Sequence, residues 1–187
     1  MSRRAVFLDR DGTLNREIGY VGDPADLVLV AGVGPALARL SAAGFALVVI
    51  SNQSAIGRGV LSTAQVEAVN TRLAAFLHAE GVELDAFFVC PHAPADGCDC
   101  RKPAPGLLLQ ARDTLDLDLA ASWMVGDSVN DVVAARAAGV RPLLVLTGWG
   151  MRDKEAARAG GLAEDDVVAD LGAAAERILA AEGVSGS

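Results

Sequence analysis

Short apolar runs alternate with helix-forming segments along the whole chain, and this alternation limits the possible folds most strongly. The segment Phe45–Ile50 is continuously apolar, as is typical of a strand covered on both faces. Five further runs have the length of a strand: Ala5–Leu8, Ala86–Val89, Ser122–Val125, Pro142–Leu146 and Val167–Ala169. Repeated strand-helix-strand units predict an α/β fold with a doubly wound parallel sheet.

Helices are predicted between these strands. The residues Ser62-Thr63-Ala64-Gln65 have the form of a capping box, and they open a helix that Gly81 ends. The other predicted helices are Gly34–Ala43, Leu107–Leu115, Asp131–Ala138 and Ala173–Ala181. No repeat, linker or large insertion interrupts this order. We therefore expect residues 1–187 to form one domain, without a cap domain over its active site.

Composition and charge narrow the partners. Hydrophobic residues make up 52% and charged residues 21%, as in a soluble globular protein. The apolar runs are far shorter than the ~20 residues needed to span a bilayer, and Ala5–Leu8 is too short for the core of a signal peptide. A net charge of −8 repels nucleic acid. We expect a cytoplasmic monomer with no nucleic-acid or membrane partner, whereas small phosphorylated molecules remain possible as ligands because one local cationic pocket can bind them.

Polar residues follow several of the predicted strands. Two acidic segments, Asp9-Arg10-Asp11-Gly12-Thr13 and Gly126-Asp127-Ser128-Val129-Asn130-Asp131, follow the first and fourth strands. The second strand leads into Ser51-Asn52-Gln53-Ser54, and Arg101-Lys102 lies in a later loop. Because parallel strands end at one edge of the sheet, these side chains are expected to converge there. Acids, a hydroxyl and a lysine together suit Mg²⁺-assisted phosphoryl transfer.

Each of these segments alone has a common structural interpretation. Asp-x-Asp-Gly often forms a turn, Ser51 could cap a helix, and Lys102 could be a solvated surface charge. Their occurrence together, in this order, favours catalysis. The set resembles the four motifs of the haloacid dehalogenase superfamily of phosphatases, from about residue 5 to residue 146.

That resemblance implies a role for each matching residue. Asp9 would be the nucleophile that forms an aspartyl-phosphate, and Asp11 would be the general acid and base. Ser51 and Lys102 would hold the transferring phosphoryl group. Asp9 and Asp127 would bind the catalytic Mg²⁺ together with the backbone carbonyl of Asp11. A carboxylate attacks an anion poorly unless cations neutralise the repulsion, so the chemical argument agrees.

The three cysteines of the chain lie close together, in Cys90-Pro91-His92 and Cys98-Asp99-Cys100. Three thiolates and one imidazole match a closed, tetrahedral zinc site, so we expect a structural Zn²⁺ that staples this loop. The alternative is a group of reduced, buried thiols with an incidental histidine.

A loop of this kind leading into Arg101-Lys102-Pro103 resembles one branch of the superfamily. That branch contains the D-glycero-D-manno-heptose 1,7-bisphosphate phosphatases and the histidinol-phosphate phosphatases. Gly19-Tyr20-Val21 and the segment from Ser54 to Gly59 look like the heptose enzymes. The five-residue spacer between His92 and Cys98 looks more like the histidinol-phosphate enzymes. Ser128 stands where some heptose enzymes have a lysine.

The charge of the substrate separates these two activities. A bisphosphate needs a cation beyond Lys102, for which Arg58 and Arg101 are candidates, whereas histidinol phosphate needs an acceptor for its amine, such as Glu17. We favour the bisphosphate, and the resemblance implies removal of its C7 phosphate. The expected substrate-binding residues are Glu17, Gly19, Tyr20, Ser51, Asn52, Gln53, Ser54, Arg58, Arg101 and Lys102.

Two other classes of protein remain possible at this point. A receiver-type signalling domain also phosphorylates an aspartate in a doubly wound sheet, but its phosphoaspartate persists. Asp11, placed to hydrolyse the intermediate, distinguishes a phosphatase from a receiver. A zinc-stapled interaction module without catalysis would not need the complete set of motifs.

Overall fold

A parallel six-stranded sheet organises the protein, for which a computed structural model describes residues 2–183. The strands are β1 (Ala5–Leu8), β2 (Ala46–Asn52), β3 (Ala86–Cys90), β4 (Trp123–Gly126), β5 (Arg141–Val145) and β6 (Val167–Val168). Their order is β3-β2-β1-β4-β5-β6, and every pair is parallel. Strands β2 and β3 therefore extend the sheet on one side of β1, and β4, β5 and β6 extend it on the other side. The predicted doubly wound sheet is confirmed.

Seven α-helices lie within the described residues, six of them between strands and the seventh after β6. They are α1 (Val33–Ala42), α2 (Ser54–Gly57), α3 (Thr63–Ala79), α4 (Gly106–Leu115), α5 (Val129–Ala137), α6 (Gly150–Ala159) and α7 (Leu171–Ala181). The five helices predicted from the sequence are present, with ends within about two residues of those expected. Between residues 2 and 183, no helix combines the length and apolar character that crossing a membrane requires.

Helices α2 and α6 were not predicted. Helix α2 is a single turn, too short to show a periodic pattern. Helix α6 buries only Gly150, Asp153 and Ala157, so it has no stripe of large apolar residues to reveal it. Strand β2 also continues through Ser51 and Asn52, which the sequence placed after the strand.

The sheet is covered on both faces. On one face, Val6 and Leu8 belong to a core shared with α1, α3 and α7. On the other face, Ala5 and Phe7 belong to a core shared with α4 and α5. All four side chains are fully buried because successive residues of a strand point to opposite faces. This double burial explains why the strands are continuously apolar rather than alternating.

The loops after β2 and β3 are fastened to each other. The backbone amide of Gln53 donates to the carbonyl of Cys90 at 2.8 Å, and that of Gly57 donates to Pro91 at 2.7 Å. A Cβ atom at Gly57 would lie 2.5 Å from the backbone nitrogen of Ala93, so only glycine allows this approach. The segment that follows Ser51 is thereby held against the cysteine-rich loop.

Glu182, just after α7, ties the last helix to two strands. Its carboxylate accepts hydrogen bonds from Arg4 at 2.5 Å and from Arg141 at 2.8 Å. The Arg4 guanidinium also lies 4.2 Å from the centroid of the Phe45 ring. Glu182 therefore links residues at the start of β1 and of β5 across one end of the sheet.

We predict that Glu182→Gln lowers the free energy of unfolding by about 1 kcal/mol, because the pairs are partly exposed and solvent weakens them. Urea denaturation measures the change. Glu176→Gln on α7 is the matched control, since Glu176 is 70% exposed and 3.8 Å from Arg39. It should change stability by less than about 0.5 kcal/mol. Equal effects of the two substitutions would contradict a specific role for Glu182.

Candidate active site

A buried lysine forms the centre of the site. The ammonium nitrogen of Lys102 lies 2.6 Å from Asp9 Oδ1 and 2.6 Å from Asp131 Oδ1, and it donates to the carbonyl of Ile50 at 2.8 Å. The Lys102 side chain is only 4% exposed. Burial alone would lower the pKa of Lys102, but the carboxylates of Asp131 and Asp9 raise it above its usual value. The lysine is therefore charged and held by acids from β1 and α5.

The backbone of Lys102 is fixed by Asn52 at the end of β2. Its amide donates to Asn52 Oδ1 at 3.0 Å, and Asn52 Nδ2 donates to the carbonyl of Lys102 at 3.0 Å. These two reciprocal bonds attach the loop carrying Lys102 to the sheet. Asn52, expected to contact substrate, thus also positions the lysine.

Three carboxylates gather beside the lysine. Asp9, Asp127 and Asp131 each offer an oxygen, and these oxygens all lie within 4.8 Å of one another. Burial raises the pKa of Asp9 to about 7 against the opposing effect of Lys102. Burial and the neighbouring Asp9 raise the pKa of Asp127 to about 8. When all are ionised, three negative charges against the one positive charge of Lys102 leave two negative charges, which suits a divalent cation with oxygen ligands.

The expected metal ligands and this cluster differ in one member. From the sequence, Asp11 is expected to bind the metal through its backbone carbonyl, and Asp131 is not among the expected metal ligands. In the structure, Asp131 Oδ2 also accepts from the backbone amide of Ser128 at 3.0 Å and so caps α5. An acidic residue three positions after the N-cap is common in helices, so the sequence alone indicates only a capping role for Asp131. Its contact with Lys102 depends on how α5 packs against the sheet.

Asp127 is held between two glycines. Its Oδ2 accepts from the backbone amide of Trp149 at 2.8 Å. A Cβ atom at Gly12, where φ is +84°, would lie 2.0 Å from this oxygen, and one at Gly148 would also lie at 2.0 Å. The loops after β1 and β5 can approach Asp127 only because both residues lack a side chain.

The carboxylate of Asp11 accepts hydrogen bonds from three side chains, and none of these contacts was predicted from the sequence. Arg10 is fully buried and donates from Nη2 to Oδ2 at 2.9 Å. Asn15 donates to Oδ1 at 2.9 Å, and Gln53 donates to Oδ2 at 2.8 Å. The other end of the Arg10 guanidinium donates to Asn70 of α3 at 2.9 Å. The sequence contains one sign of this arrangement, because Arg10 stands between the two acids Asp9 and Asp11 and could pair with either of them.

Lys102 and the carboxylates around it line an open cavity of about 370 Å³ at the carboxyl edge of the sheet. Besides Asp9, Asp11 and Asp127, the lining includes seven of the residues expected to bind substrate: Glu17, Gly19, Tyr20, Asn52, Gln53, Arg101 and Lys102. It also includes residues that the sequence analysis did not assign to the substrate: Ser128, Asn130, Asp131, Trp149 and Arg152.

Three expected substrate-binding residues lie elsewhere in the structure. Ser51 is 1% exposed, and its hydroxyl accepts from Gln53 Nε2 at 2.8 Å. Ser54 begins α2, and Arg58 follows the same helix as an exposed residue. None of the three is part of the lining of this cavity.

Cys90, His92, Cys98 and Cys100 form a second cluster, as their spacing predicts. Cys100 Sγ lies 3.1 Å from Cys90 Sγ, 3.4 Å from Cys98 Sγ and 3.2 Å from His92 Nδ1. Cys90 Sγ lies 3.6 Å from both Cys98 Sγ and His92 Nδ1. A metal with ~2.3 Å sulfur bonds in a regular tetrahedron separates its ligands by roughly 3.8 Å. The four side chains could therefore hold one metal ion after a small outward shift.

The spacer between His92 and Cys98 lies on the outside of this cluster. It contains a single 3-10 turn, Pro94–Asp96, and its residues Pro94–Gly97 are exposed. Asp96 accepts from the backbone amide of Ala93 at 2.8 Å, which closes the turn on itself. The four ligating side chains therefore lie at the base of the loop.

Comparison with known proteins relates the chain to phosphatases. A sequence model of the HAD-hydrolase-like family matches residues 99–174. The D-glycero-β-D-manno-heptose-1,7-bisphosphate 7-phosphatase of Pseudomonas aeruginosa is 43% identical over 153 residues, which are 81% of this chain and 86% of that enzyme. The enzyme of the same name from Escherichia coli K12 is 47% identical over 152 residues, which are 77% of this chain and 80% of that enzyme.

A solved structure is similar over nearly its whole length. It is the crystal structure of the D,D-heptose 1,7-bisphosphate phosphatase from B. bronchiseptica, in complex with magnesium and phosphate. Its sequence is 39% identical to this chain, and the TM-score is 0.86. The match covers 95% of this chain and 99% of that one.

We predict that millimolar Mg²⁺ raises the melting temperature more at pH 8.5 than at pH 6. Asp9 and Asp127, with pKa values of about 7 and about 8, hold protons at pH 6 that a cation must displace. Without a cation, the raised pKa values mean that the folded state binds more protons than the unfolded one. Its stability should therefore fall as the pH rises from the ordinary aspartate pKa of 3.8 to about 8.

Thermal unfolding with and without MgCl₂, at both pH values, measures these effects. Asp127→Asn is the control, because it removes a charged ligand and should abolish most of the stabilisation by Mg²⁺ at pH 8.5. An equal stabilisation of the unmodified protein at the two pH values would contradict binding at these carboxylates.

Proposed function

The chain belongs to the haloacid dehalogenase-like hydrolase family, and on this basis we propose that it hydrolyses the C7 phosphate of D-glycero-β-D-manno-heptose 1,7-bisphosphate in a Mg²⁺-dependent reaction. The observation that carries the substrate is 43–47% identity, over most of the chain, to enzymes named for this activity. The site geometry supports the reaction class, because a nucleophile, a cation and a group of metal-binding acids share one cavity.

In the first step, an oxygen of Asp9 attacks the phosphorus of the C7 phosphate. The bond from phosphorus to the sugar oxygen breaks, and that oxygen takes a proton from the carboxyl group of Asp11. Lys102 stabilises the charge that accumulates on the transferring group, since its ammonium already contacts Asp9 at 2.6 Å. When bound at Asp9 and Asp127, Mg²⁺ supplies further neutralisation of that charge.

In the second step, a water molecule attacks the phosphorus of the aspartyl-phosphate. Its proton passes to the Asp11 carboxylate, the bond to Asp9 breaks, and inorganic phosphate leaves. Asp11 therefore needs an orientation from which it can first donate and later accept a proton. Hydrogen bonds from Arg10, Asn15 and Gln53 hold its carboxylate in place beside the cavity.

A bisphosphate fits the charges of this cavity better than histidinol phosphate does. The cavity lining contains guanidinium groups besides the ammonium of Lys102, and a guanidinium can bind a second phosphate through parallel N–H donors. Glu17 is the expected acceptor for an amine, but burial raises the pKa of Glu17. Burial therefore makes the charged form of Glu17 less favourable, which weakens this side chain as a partner for an ammonium ion.

The decisive experiment is a panel of phosphorylated substrates assayed for phosphate release. We expect the highest kcat/KM for the heptose 1,7-bisphosphate, with the 1-phosphate as the sugar product. Asp9→Asn is the control for chemistry at this site, and it should reduce kcat by several orders of magnitude because the amide is not a nucleophile.

A higher kcat/KM for histidinol phosphate than for the bisphosphate would contradict the proposed substrate. A phosphoaspartate that accumulates and persists for minutes in Mg²⁺ would instead indicate a receiver-type domain. An Asp9→Asn protein that keeps more than about a tenth of the activity would contradict the role of Asp9.

For the metal of the cysteine cluster we propose Zn²⁺ with a structural role. Three thiolates and an imidazole occupy all four positions of a tetrahedral ion, so none remains for substrate or water. Burial opposes ionisation of the Cys98 thiol, but hydrogen bonds from Cys100 and the backbone of Arg101 lower its pKa to about 7. Burial raises the pKa of Cys90, and it raises the pKa of Cys100 to about 12, so a metal ion must displace the protons of these two thiols. Thiolates persist in a reducing compartment, and we propose the cytoplasm as the location.

Removal of one thiolate should weaken both the fold and the catalysis. We predict that Cys98→Ser lowers the zinc content to well below one ion per chain, lowers the melting temperature by several degrees and reduces kcat/KM through a displaced Lys102. Asp99→Asn is the matched control, because Asp99 lies between two ligands, is exposed and is outside the cluster. Elemental analysis, thermal unfolding and kinetics measure the three effects. Purified protein without tightly bound zinc, never exposed to a chelator, would contradict the proposal.

A further inference from the structure

Arg152 in α6 is a cation on the wall of the active-site cavity that the proposed mechanism does not use. The ammonium of Lys102 contacts Asp9, Asp131 and the carbonyl of Ile50, beside the carboxylate that is proposed to attack phosphorus. It serves the phosphoryl group that is transferred. A substrate with two phosphates brings a second dianion, which needs a different cation at some distance from Lys102.

The guanidinium of Arg152 is already oriented. It lies 4.3 Å from the centroid of the Trp149 ring, which also lines the cavity. Its Nε donates to Asp153 Oδ1 at 2.7 Å. Stacking and one hydrogen bond restrict the side chain, so little conformational entropy remains to be lost when it binds an anion.

The same guanidinium still has donors to offer. Between residues 2 and 183, neither terminal nitrogen of Arg152 has a hydrogen-bond partner, and the side chain is 61% exposed. Two N–H groups on adjacent nitrogens match two oxygens of a phosphate. Arg152 is therefore oriented but not satisfied, unlike Lys102.

Asp153 connects Arg152 to α5, the helix that carries Asp131 of the carboxylate cluster. It is 8% exposed and accepts from the backbone amide of Val129 at 3.1 Å and from the Ser128 hydroxyl at 3.2 Å. A buried acid is unusual in a helix as polar as α6. Its contacts fix the start of α6 against the start of α5, and so fix the distance from Arg152 to the metal-binding acids.

The sequence suggests two other arginines as anchors for the second phosphate, and neither belongs to α6. Arg58 is exposed and lies outside the lining of the cavity. Arg101 does line it, next to Lys102 and the cysteine cluster. Ser128, on the side of α5, has no charge. Arg152 is thus the cation that this wall of the cavity offers to a substrate.

We propose that Arg152, held by Trp149 and Asp153, binds the second phosphate of the substrate and makes the enzyme prefer a bisphosphate to a monophosphate. The proposal rests on the proposed function, since it takes the heptose 1,7-bisphosphate as the substrate. It assigns the retained C1 phosphate to α6, a part of the chain outside the sequence motifs.

The test compares two substitutions that each remove one positive charge from α6. Arg152→Gln removes the proposed anchor, and Lys154→Gln is the matched control because Lys154 is outside the cavity lining. The steady-state kcat and KM are measured for the heptose 1,7-bisphosphate and for the heptose 7-phosphate, which lacks the second phosphate. Arg152→Lys is the third variant, and it keeps the charge but loses the paired donors.

We expect Arg152→Gln to raise KM for the bisphosphate about tenfold or more while KM for the 7-phosphate changes less than twofold. Lys154→Gln should leave both values unchanged, and Arg152→Lys should have an intermediate effect on the bisphosphate. Equal melting temperatures of the variants would confirm that the fold is intact.

An equal rise of KM for both substrates would overturn the proposal, because it would mean that Arg152 attracts any anionic substrate and does not contact the second phosphate. An unchanged KM for the bisphosphate in Arg152→Gln would overturn it as well, while the proposed function would stand. A wild-type enzyme that does not hydrolyse the bisphosphate would overturn the proposed function and, with it, this assignment.

Discussion

The buried ion pair between Lys102 and two aspartates is the interaction on which the rest of the site depends. Removing charges from water is costly, and the cost is offset here because the ammonium contacts Asp9, Asp131 and a backbone carbonyl. A third acid, Asp127, leaves the group with an excess of negative charge. Burial is the main cause of the raised pKa values of Asp9 and Asp127, and neighbouring carboxylates add to it. That excess is energetically unfavourable in the isolated protein, and a divalent cation relieves it. The cluster of acids beside the buried lysine is therefore suited to a divalent cation.

The position of the lysine in turn depends on loops rather than on the sheet. Lys102 lies in the long connection between β3 and α4, where no strand could hold it. Two structures replace the strand: the reciprocal hydrogen bonds to Asn52, and the four-residue cluster immediately before it in sequence. The turn at Gly57 presses against the same loop. Both the backbone and the ammonium group of Lys102 are thus held by hydrogen bonds and ion pairs, although this segment has no regular structure.

The sequence predicts those features that depend on local pattern. Continuously apolar strands predict the sheet, and acids that directly follow strands identify Asp9 and Asp127. The cysteine spacing predicts a cluster, which the structure confirms. Features that depend on long-range geometry are not predictable in this way. The bond from Arg10 to Asn70 joins residues 60 positions apart, and the placement of Asp131 beside Lys102 depends on how α5 faces the sheet. Helix α6 has no apolar stripe, so neither the helix nor Arg152 on the cavity wall could be found from periodicity.

The exposed turn between His92 and Cys98 has a consequence for how this family can change over time. The turn satisfies its own hydrogen bonding through Asp96, and the ligating side chains close the loop beneath it. Residues could be inserted between Pro94 and Gly97 without altering the path from Cys100 to Lys102, because added chain would project into solvent from a fixed base. The length of this segment is accordingly free to drift by insertion and deletion while the chemistry is preserved. For the same reason, it is a suitable position to splice in a peptide tag or a fluorescent label.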